Sequence, residues 1–202
     1  MRDPDTVSRA PLRSRVALIV EDDAYWRQIF ARRLRDGGWR CEHASSVAEA
    51  QTALCRDFDA VLVDLNLGAG GRGEHVLELL ASRALPVAVV VLSGYSGLID
   101  ANALGLEGVP FLHKGVEPEV LLATLDDEVE LTCRVITRGL VGLVARTEKG
   151  FLRAILAKLR ATGGNQSQAA AALGIPRTTL RDKMGAYGLE SAAFKKPPAC
   201  SA

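Results

Sequence analysis

The sequence predicts an α/β domain built on a doubly wound, five-stranded parallel sheet, followed by a small all-α domain. Three observations predict it. Between Arg15 and Asp127, five short strand-like runs, four of them apolar, alternate with segments of helical period. The connections between those runs are too short for anything but right-handed crossovers. Charge then changes sign along the chain: residues 148–196 carry nine Lys/Arg against three Asp/Glu, and residues 1–147 carry sixteen against twenty-one. An acidic first part and a basic last part suggest two domains with different partners, nucleic acid being the default for the basic one.

Each element has a local reason. Arg15–Val20 is apolar enough for a strand buried on both faces, and it runs into Glu21, Asp22 and Asp23. Asp23 can cap a helix that places Tyr25, Ile29, Phe30 and Leu34 at helical spacing and stops at Gly37-Gly38. Arg40–Ala44 is a short strand. Ser45 and Ser46 can cap the next helix, which carries Val47, Ala50, Ala53 and Leu54. The central strand Ala60–Val63 runs into Asp64, and glycines 68, 70 and 71 follow. Glu74–Ser82 is a helix. Pro86 opens the strand Val87–Leu92, which ends at Ser93-Gly94, and Asp100–Leu106 is a weaker helix. Val109–Leu112 is a short strand ending at Lys114, and Glu117-Pro118 starts the last helix of the domain.

In an open parallel sheet, ligands bind outside the carboxyl ends of the strands. Those ends supply Glu21 and Asp22, Asp64, Ser93 and Lys114. Three carboxylates in one place repel unless a divalent cation neutralises them. A hard ion held by oxygen describes Mg²⁺. A hydroxyl and an ammonium beside it suit an incoming phosphoryl group. Any one of these residues alone is an ordinary helix cap or a solvated lysine; five gathered at the ends of four strands are a constellation.

The segments Ile19-Val20-Glu21-Asp22-Asp23, Val63-Asp64-Leu65-Asn66, Leu92-Ser93-Gly94 and Phe111-Leu112-His113-Lys114 resemble the receiver domain of two-component response regulators, over residues 15–127. The resemblance implies the flavodoxin-like receiver fold and a phosphoryl group received by Asp64 from a sensor histidine kinase. It implies that Glu21 and Asp22 hold Mg²⁺ together with Asp64 and the backbone carbonyl of Asn66. Ser93 and Lys114 would then bind the phosphoryl oxygens, and Phe111 would be the aromatic that responds. Three departures from the family pattern stand out in the receiver part, one being the Gly-rich helix after the fourth strand (Gly94, Gly97, Gly105, Gly108). Gly115 replaces the proline that follows the lysine, which predicts a looser loop there, and Gly68 replaces a proline in a loop one residue longer.

The basic part is read in the same way. From Glu117 the helical pattern runs on through Arg138. Val129, Cys133, Ile136, Leu140 and Leu143 step by four and three, the spacing of a coiled-coil seam. Residues 128–147 are thus either a dimerising connector or a helix packed on its own domain followed by a linker. Glu148–Ala161 is amphipathic. Asn165 caps Gln166–Leu173, Gly174 turns, and Pro176 opens a helix from Arg177 to about Tyr187. The run 163–183 resembles the Fis-type helix-turn-helix, over residues 148–190. This implies base or phosphate contacts from Arg177, Thr178, Thr179 and Arg181, and phosphate contacts from Lys183, Asn165 and Gln166. It also implies a homodimer on double-stranded DNA with two-fold symmetry.

Residues 1–14 and 191–202 read as a disordered leader and tail. The four cysteines form no CxxC pair, which argues against a zinc or disulfide framework and fits a cytoplasmic protein. No apolar run approaches the roughly 18 residues of a membrane span, and no GxxxxGK[ST] loop occurs. The expected function is a response regulator transcription factor acting without an ATPase module and without enzymatic turnover beyond phosphoryl transfer to its own Asp64. The alternative is a DNA-binding protein whose receiver only dimerises. A haloacid-dehalogenase phosphatase is a distant third, because its second Asp is here Asn66.

Overall fold

The computed structural model describes residues 14–83, 87–94, 109–139 and 142–194, with side chains excepted for residues 142–147. The predicted leader up to residue 13, the helix Asp100–Leu106, Pro86, Leu140 and the tail from residue 195 lie outside the described residues.

Strands β1 (Val16–Val20), β2 (Arg40–Ala44), β3 (Ala60–Asp64), β4 (Ala88–Ser93) and β5 (Phe111–His113) form one sheet in the order β2-β1-β3-β4-β5. Every neighbouring pair is parallel. The register sets Val20 beside Val63, Asp64 beside Leu92 and Ser93 beside His113. The carboxyl ends of β1, β3, β4 and β5 are thereby brought level. β5 is shorter than the sequence predicts because Pro110 has no N–H for the ladder; its carbonyl still accepts from Val91 N–H at 2.8 Å.

Alternation divides the core in two. Leu18, Val20, Val61 and Val63 face helices α2 (Val47–Ala53) and α3 (Gly73–Ser82), through Ala50, Ala53, Val76, Leu77 and Leu80. Ala17, Ile19, Ala60, Leu62 and Val90 face α1 (Ala24–Asp36) and the first half of α4 (Pro118–Ile136), through Phe30, Ala31, Leu34, Leu121 and Leu125. Each fully buried Leu or Phe contributes about 1.5–3 kcal/mol relative to exposure. Tyr25, expected on the inner face of α1, is 65% exposed. Ala31, which the spacing did not single out, is buried on the inner face beside Phe30 and Leu34.

The uninterrupted connector helix is corrected. α4 ends at Ile136, Gly139 turns left-handed at φ +69, and α5 starts at Gly142 rather than at Glu148. Cys133 and Ile136 point to solvent, Val129 packs on the sheet domain, and the buried stripe of α4 is Leu131 and Val135.

Helices α5 (Gly142–Ala161), α6 (Gln166–Leu173) and α7 (Arg177–Ala186) close on Ile155, Leu159, Ala169, Ala170, Leu180 and Met184. Asn165 caps α6, and Gly174 ends it at φ +65. Pro176 stands at the N-cap of α7, one position before the first turn expected for it. The tail begins later than expected: Ser191–Phe194 is a short 3-10 turn, with Phe194 against the α5–α7 core.

Candidate functional site

Two places gather the chemistry-bearing residues. The first lies at the carboxyl ends of β1, β3 and β5. Lys114 follows β5, and its backbone N–H donates to the Ser93 carbonyl at 2.9 Å, which ties the loop to the end of β4. The Lys114 Nζ donates to Glu21 Oε1 at 2.8 Å and to Asp64 Oδ2 at 2.9 Å. All three side chains are at least nine-tenths buried. The Trp26 ring covers the ammonium, its centroid 5.8 Å from Nζ, and is itself stacked on Phe30.

Charge explains the titration behaviour. Burial pushes the Glu21 carboxyl up, the Asp64 charge adds to this, and the bond from Lys114 opposes it without cancelling it. Burial works against the Lys114 ammonium, but its bonds to Glu21 and Asp64 and their charges outweigh that, so its value lies above the ordinary one. Glu21 Oε2 lies 2.6 Å from Nζ yet outside hydrogen-bond geometry, a buried oxygen with no donor. Glu21, Asp22 and Asp64 each offer a ligand oxygen within 4.8 Å of the others. An orphaned buried carboxylate oxygen among three hard donors fits a divalent cation such as Mg²⁺.

Local structure holds these groups in place. Asp23 caps α1 by accepting from Tyr25 N–H. The Arg27 guanidinium donates to the carbonyls of Glu21 (2.7 Å) and Asp22 (2.6 Å), pinning the turn that carries both acids. The loop after Asp64 is pressed hard against them. A Cβ on Gly73 would lie 2.0 Å from the Asp64 carbonyl oxygen, and one on Gly68 (φ +52) would lie 2.8 Å from Asp22 Oδ2. Gly68 thus leaves room for the second acid, where the sequence suggested only flexibility. Gly115 N–H donates to His113 Nδ1 at 3.0 Å, and Val116 N–H to the His113 carbonyl at 2.9 Å. A hydrogen-bonded turn therefore stands where a loose loop was expected.

Asn66 is exposed at the start of that loop, its Oδ1 accepting from Gly68 N–H at 3.2 Å. Ser93 is 9% exposed at the end of β4. Phe111 is half-buried at the start of β5, against the layer that holds Val91. Trp26 and Arg27 were missed by the sequence reading. The signal was their position in the first turns of the helix that follows the acids.

The second place is the face of α7. Arg177, Thr178, Thr179 and Arg181 are all exposed there. Lys183 is not free: its Nζ lies 2.7 Å from Glu148 Oε1 and over the Phe151 ring. Asn165 Oδ1 is used in capping, accepting from Ser167 and Gln168 N–H, both at 3.1 Å. Gln166 Nε2 donates to Ser191 Oγ at 2.6 Å.

A family model for the response regulator receiver domain matches residues 17–126, and one for bacterial regulatory proteins of the Fis family matches residues 152–187. The acid tolerance regulatory protein ActR of Sinorhizobium medicae is 34% identical over 110 residues, 54% of this chain and 56% of that protein. The match thus spans about half the length of that relative. A response regulator from Burkholderia pseudomallei, solved with a phosphorylated aspartic acid, a calcium ion and citrate, aligns with TM-score 0.51 and 26% identity over 83% of this chain and 97% of its own. A CheY-like receiver domain protein from Methanospirillum hungatei aligns over 60% of this chain and 98% of its own, with TM-score 0.54. At 21% identity it shows the fold alone.

Proposed function

The chain belongs to the response regulator receiver family, whose model covers more than half of its 202 residues, and from that premise we propose that it is a transcription factor controlled by phosphorylation of Asp64. The observation that carries this is the Lys114 ammonium joining Glu21 and Asp64 at 2.8 and 2.9 Å, from three separate strand ends.

Asp64 Oδ1 attacks the phosphorus of a phosphohistidine on a sensor histidine kinase. The P–N bond breaks, and the imidazole nitrogen leaves with the electron pair and takes a proton from solvent. Glu21, Asp22 and Asp64, with the Asn66 carbonyl, would hold Mg²⁺, which supplies charge neutralisation for the phosphoryl oxygens. Lys114 keeps Asp64 Oδ2 engaged before transfer and follows the phosphoryl oxygens after it. The new group carries roughly −1.5 to −2 charges. Ser93 moves to meet it, and Phe111 turns into the space beside it, which remodels the surface around β4 and β5.

The output is DNA binding. Arg177, Thr178, Thr179 and Arg181 present an exposed row on the first turns of α7, the part of a recognition helix that enters the major groove. Lys183, Asn165 and Gln166 have internal partners, so we assign them to positioning this helix rather than to DNA. A homodimer would place two such helices about 34 Å apart on a two-fold site. Among the described residues no helix is long and apolar enough to cross a membrane, and we place the protein in the cytoplasm with its DNA.

Mapping of bound DNA across the genome tests this, comparing the unchanged chain with Asp64→Asn. The expected result is a set of discrete sites with two-fold symmetry whose occupancy falls in the variant. Equal occupancy would mean that the receiver only dimerises.

A further inference from the structure

Helix α4 belongs to both halves of the molecule. Its first two turns are built into the sheet domain, where Leu121 and Leu125 are fully buried against the β-strands and α1. Its last two turns belong to the helical part, where Leu131 and Val135 close on Leu152 of α5 and on Tyr187, the residue that ends α7. Between these two apolar contacts lies Glu128, 2% exposed. Arg153 of α5 donates through Nε to Glu128 Oε1 at 2.8 Å. Lys149 of α5 has its Nζ 3.3 Å from Glu128 Oε2 and donates to Thr132 Oγ1 at 2.8 Å.

A ring of weaker contacts surrounds this centre. Asp127 takes a two-pronged pair from Arg160, both arms at 2.8 Å. Arg138 donates to the Ala186 carbonyl at 3.1 Å and lies 4.8 Å from the centre of the Tyr187 ring. Arg134 donates to the Tyr187 carbonyl. The carbonyls at the end of α7, left unpaired by helix geometry, are therefore met by Arg134 of α4 and by Arg138 just after it. None of these contacts covers Arg177, Thr178, Thr179 or Arg181, which stay exposed.

We infer that the Glu128–Lys149–Arg153 cluster is a clasp that fixes the helix-turn-helix to α4, making α4 a rigid lever that sets the direction of α7. Two physical points support a clasp over incidental contact. One buried acid holds two cations that burial would otherwise expel; burial alone already pushes the Lys149 ammonium below its ordinary value. Removing the acid takes the counter-charge from the buried Lys149 ammonium and the Glu128 bond from Arg153 together, so the contact closes or opens as a unit. Both oxygens of the acid are also engaged by α5, Oε1 by Arg153 and Oε2 by the Lys149 ammonium at 3.3 Å. The consequence is that the receiver directs DNA reading through orientation and leaves the reading face uncovered.

Nuclear spin relaxation of backbone amides in the full chain tests this without DNA or phosphate, so its failure is distinguishable from failure of the regulatory proposal. In the unchanged protein, the described residues between 16 and 136 and residues 166–186 are expected to tumble with one correlation time. In Glu128→Gln the second group is expected to tumble severalfold faster, with the chemical shifts of each half retained. Should Glu128→Gln not fold, the rim variant Asp127→Asn with Arg134→Ala and Arg138→Ala, none of them buried, is expected to give a smaller change of the same kind. Separate correlation times in the unchanged chain, or one shared time in a folded Glu128→Gln or, where that does not fold, in the rim variant, would overturn the clasp.

Discussion

Lys114 and Asp64 meet at 2.9 Å although they stand on strands that are not neighbours, since β4 lies between β3 and β5. The same ammonium reaches Glu21 on β1, so one cation from the sheet's edge balances acids from its centre. Lys114→Met therefore leaves buried carboxylates without their counter-charge. Breaking a buried pair costs about 3–5 kcal/mol, and the expected result is a fall in thermal midpoint that Mg²⁺ reverses further than it raises the unchanged protein. A midpoint indifferent to Mg²⁺ in both proteins would count against a cation site.

Gly68 is the second position where one atom decides. An alanine there takes on the strain of a left-handed backbone, about 1–2 kcal/mol, and its Cβ lies 2.8 Å from Asp22 Oδ2. Mg²⁺ titration followed by fluorescence of Trp26, which lies over Lys114, is expected to show severalfold weaker binding in Gly68→Ala. Gly73→Ala, whose Cβ would fall 2.0 Å from the Asp64 carbonyl oxygen, is expected to be worse.

The α7 face and Lys183 separate by measurement. Arg177→Ala and Arg181→Ala remove exposed groups, so binding to DNA should weaken by about 1–3 kcal/mol each with the thermal midpoint unchanged. Lys183→Ala removes the partner of Glu148, so its midpoint should fall. The reverse pattern would show that Lys183 reads DNA and that the arginines are structural.

Tyr187 supplies a pH test of the seam between α4 and α7. Burial, and then the bond its hydroxyl donates to Glu148 at 2.7 Å, raise its pKa to about 12. The folded value lies above the unfolded one of about 10. The stabilisation is therefore complete below about pH 10 and is lost as pH rises through about 12. The thermal midpoint of the unchanged chain should fall more steeply across that window than that of Tyr187→Phe.

Much of the fold was legible because an apolar run that meets an acid marks both a buried strand and its end. Val63-Asp64 and Val20-Glu21 are two such junctions, and the sheet register brings them together. The connector was not legible. The seam Val129, Cys133, Ile136 and the buried stripe of Leu131 and Val135 share one helix at neighbouring angles. Only partners far along the chain, Leu152 and Tyr187, decide which of them is covered. The partner of Lys183 was hidden for the same reason: Glu148 stands 35 residues away in the chain.

The most direct test of the central claim is intact-mass analysis of the full chain after incubation with acetyl phosphate, with Mg²⁺ and with a chelator. One phosphoryl group, dependent on Mg²⁺, lost with hydroxylamine and absent from Asp64→Asn, is the predicted result. No phosphoryl group on the unchanged chain, or one that persists in Asp64→Asn, would contradict it.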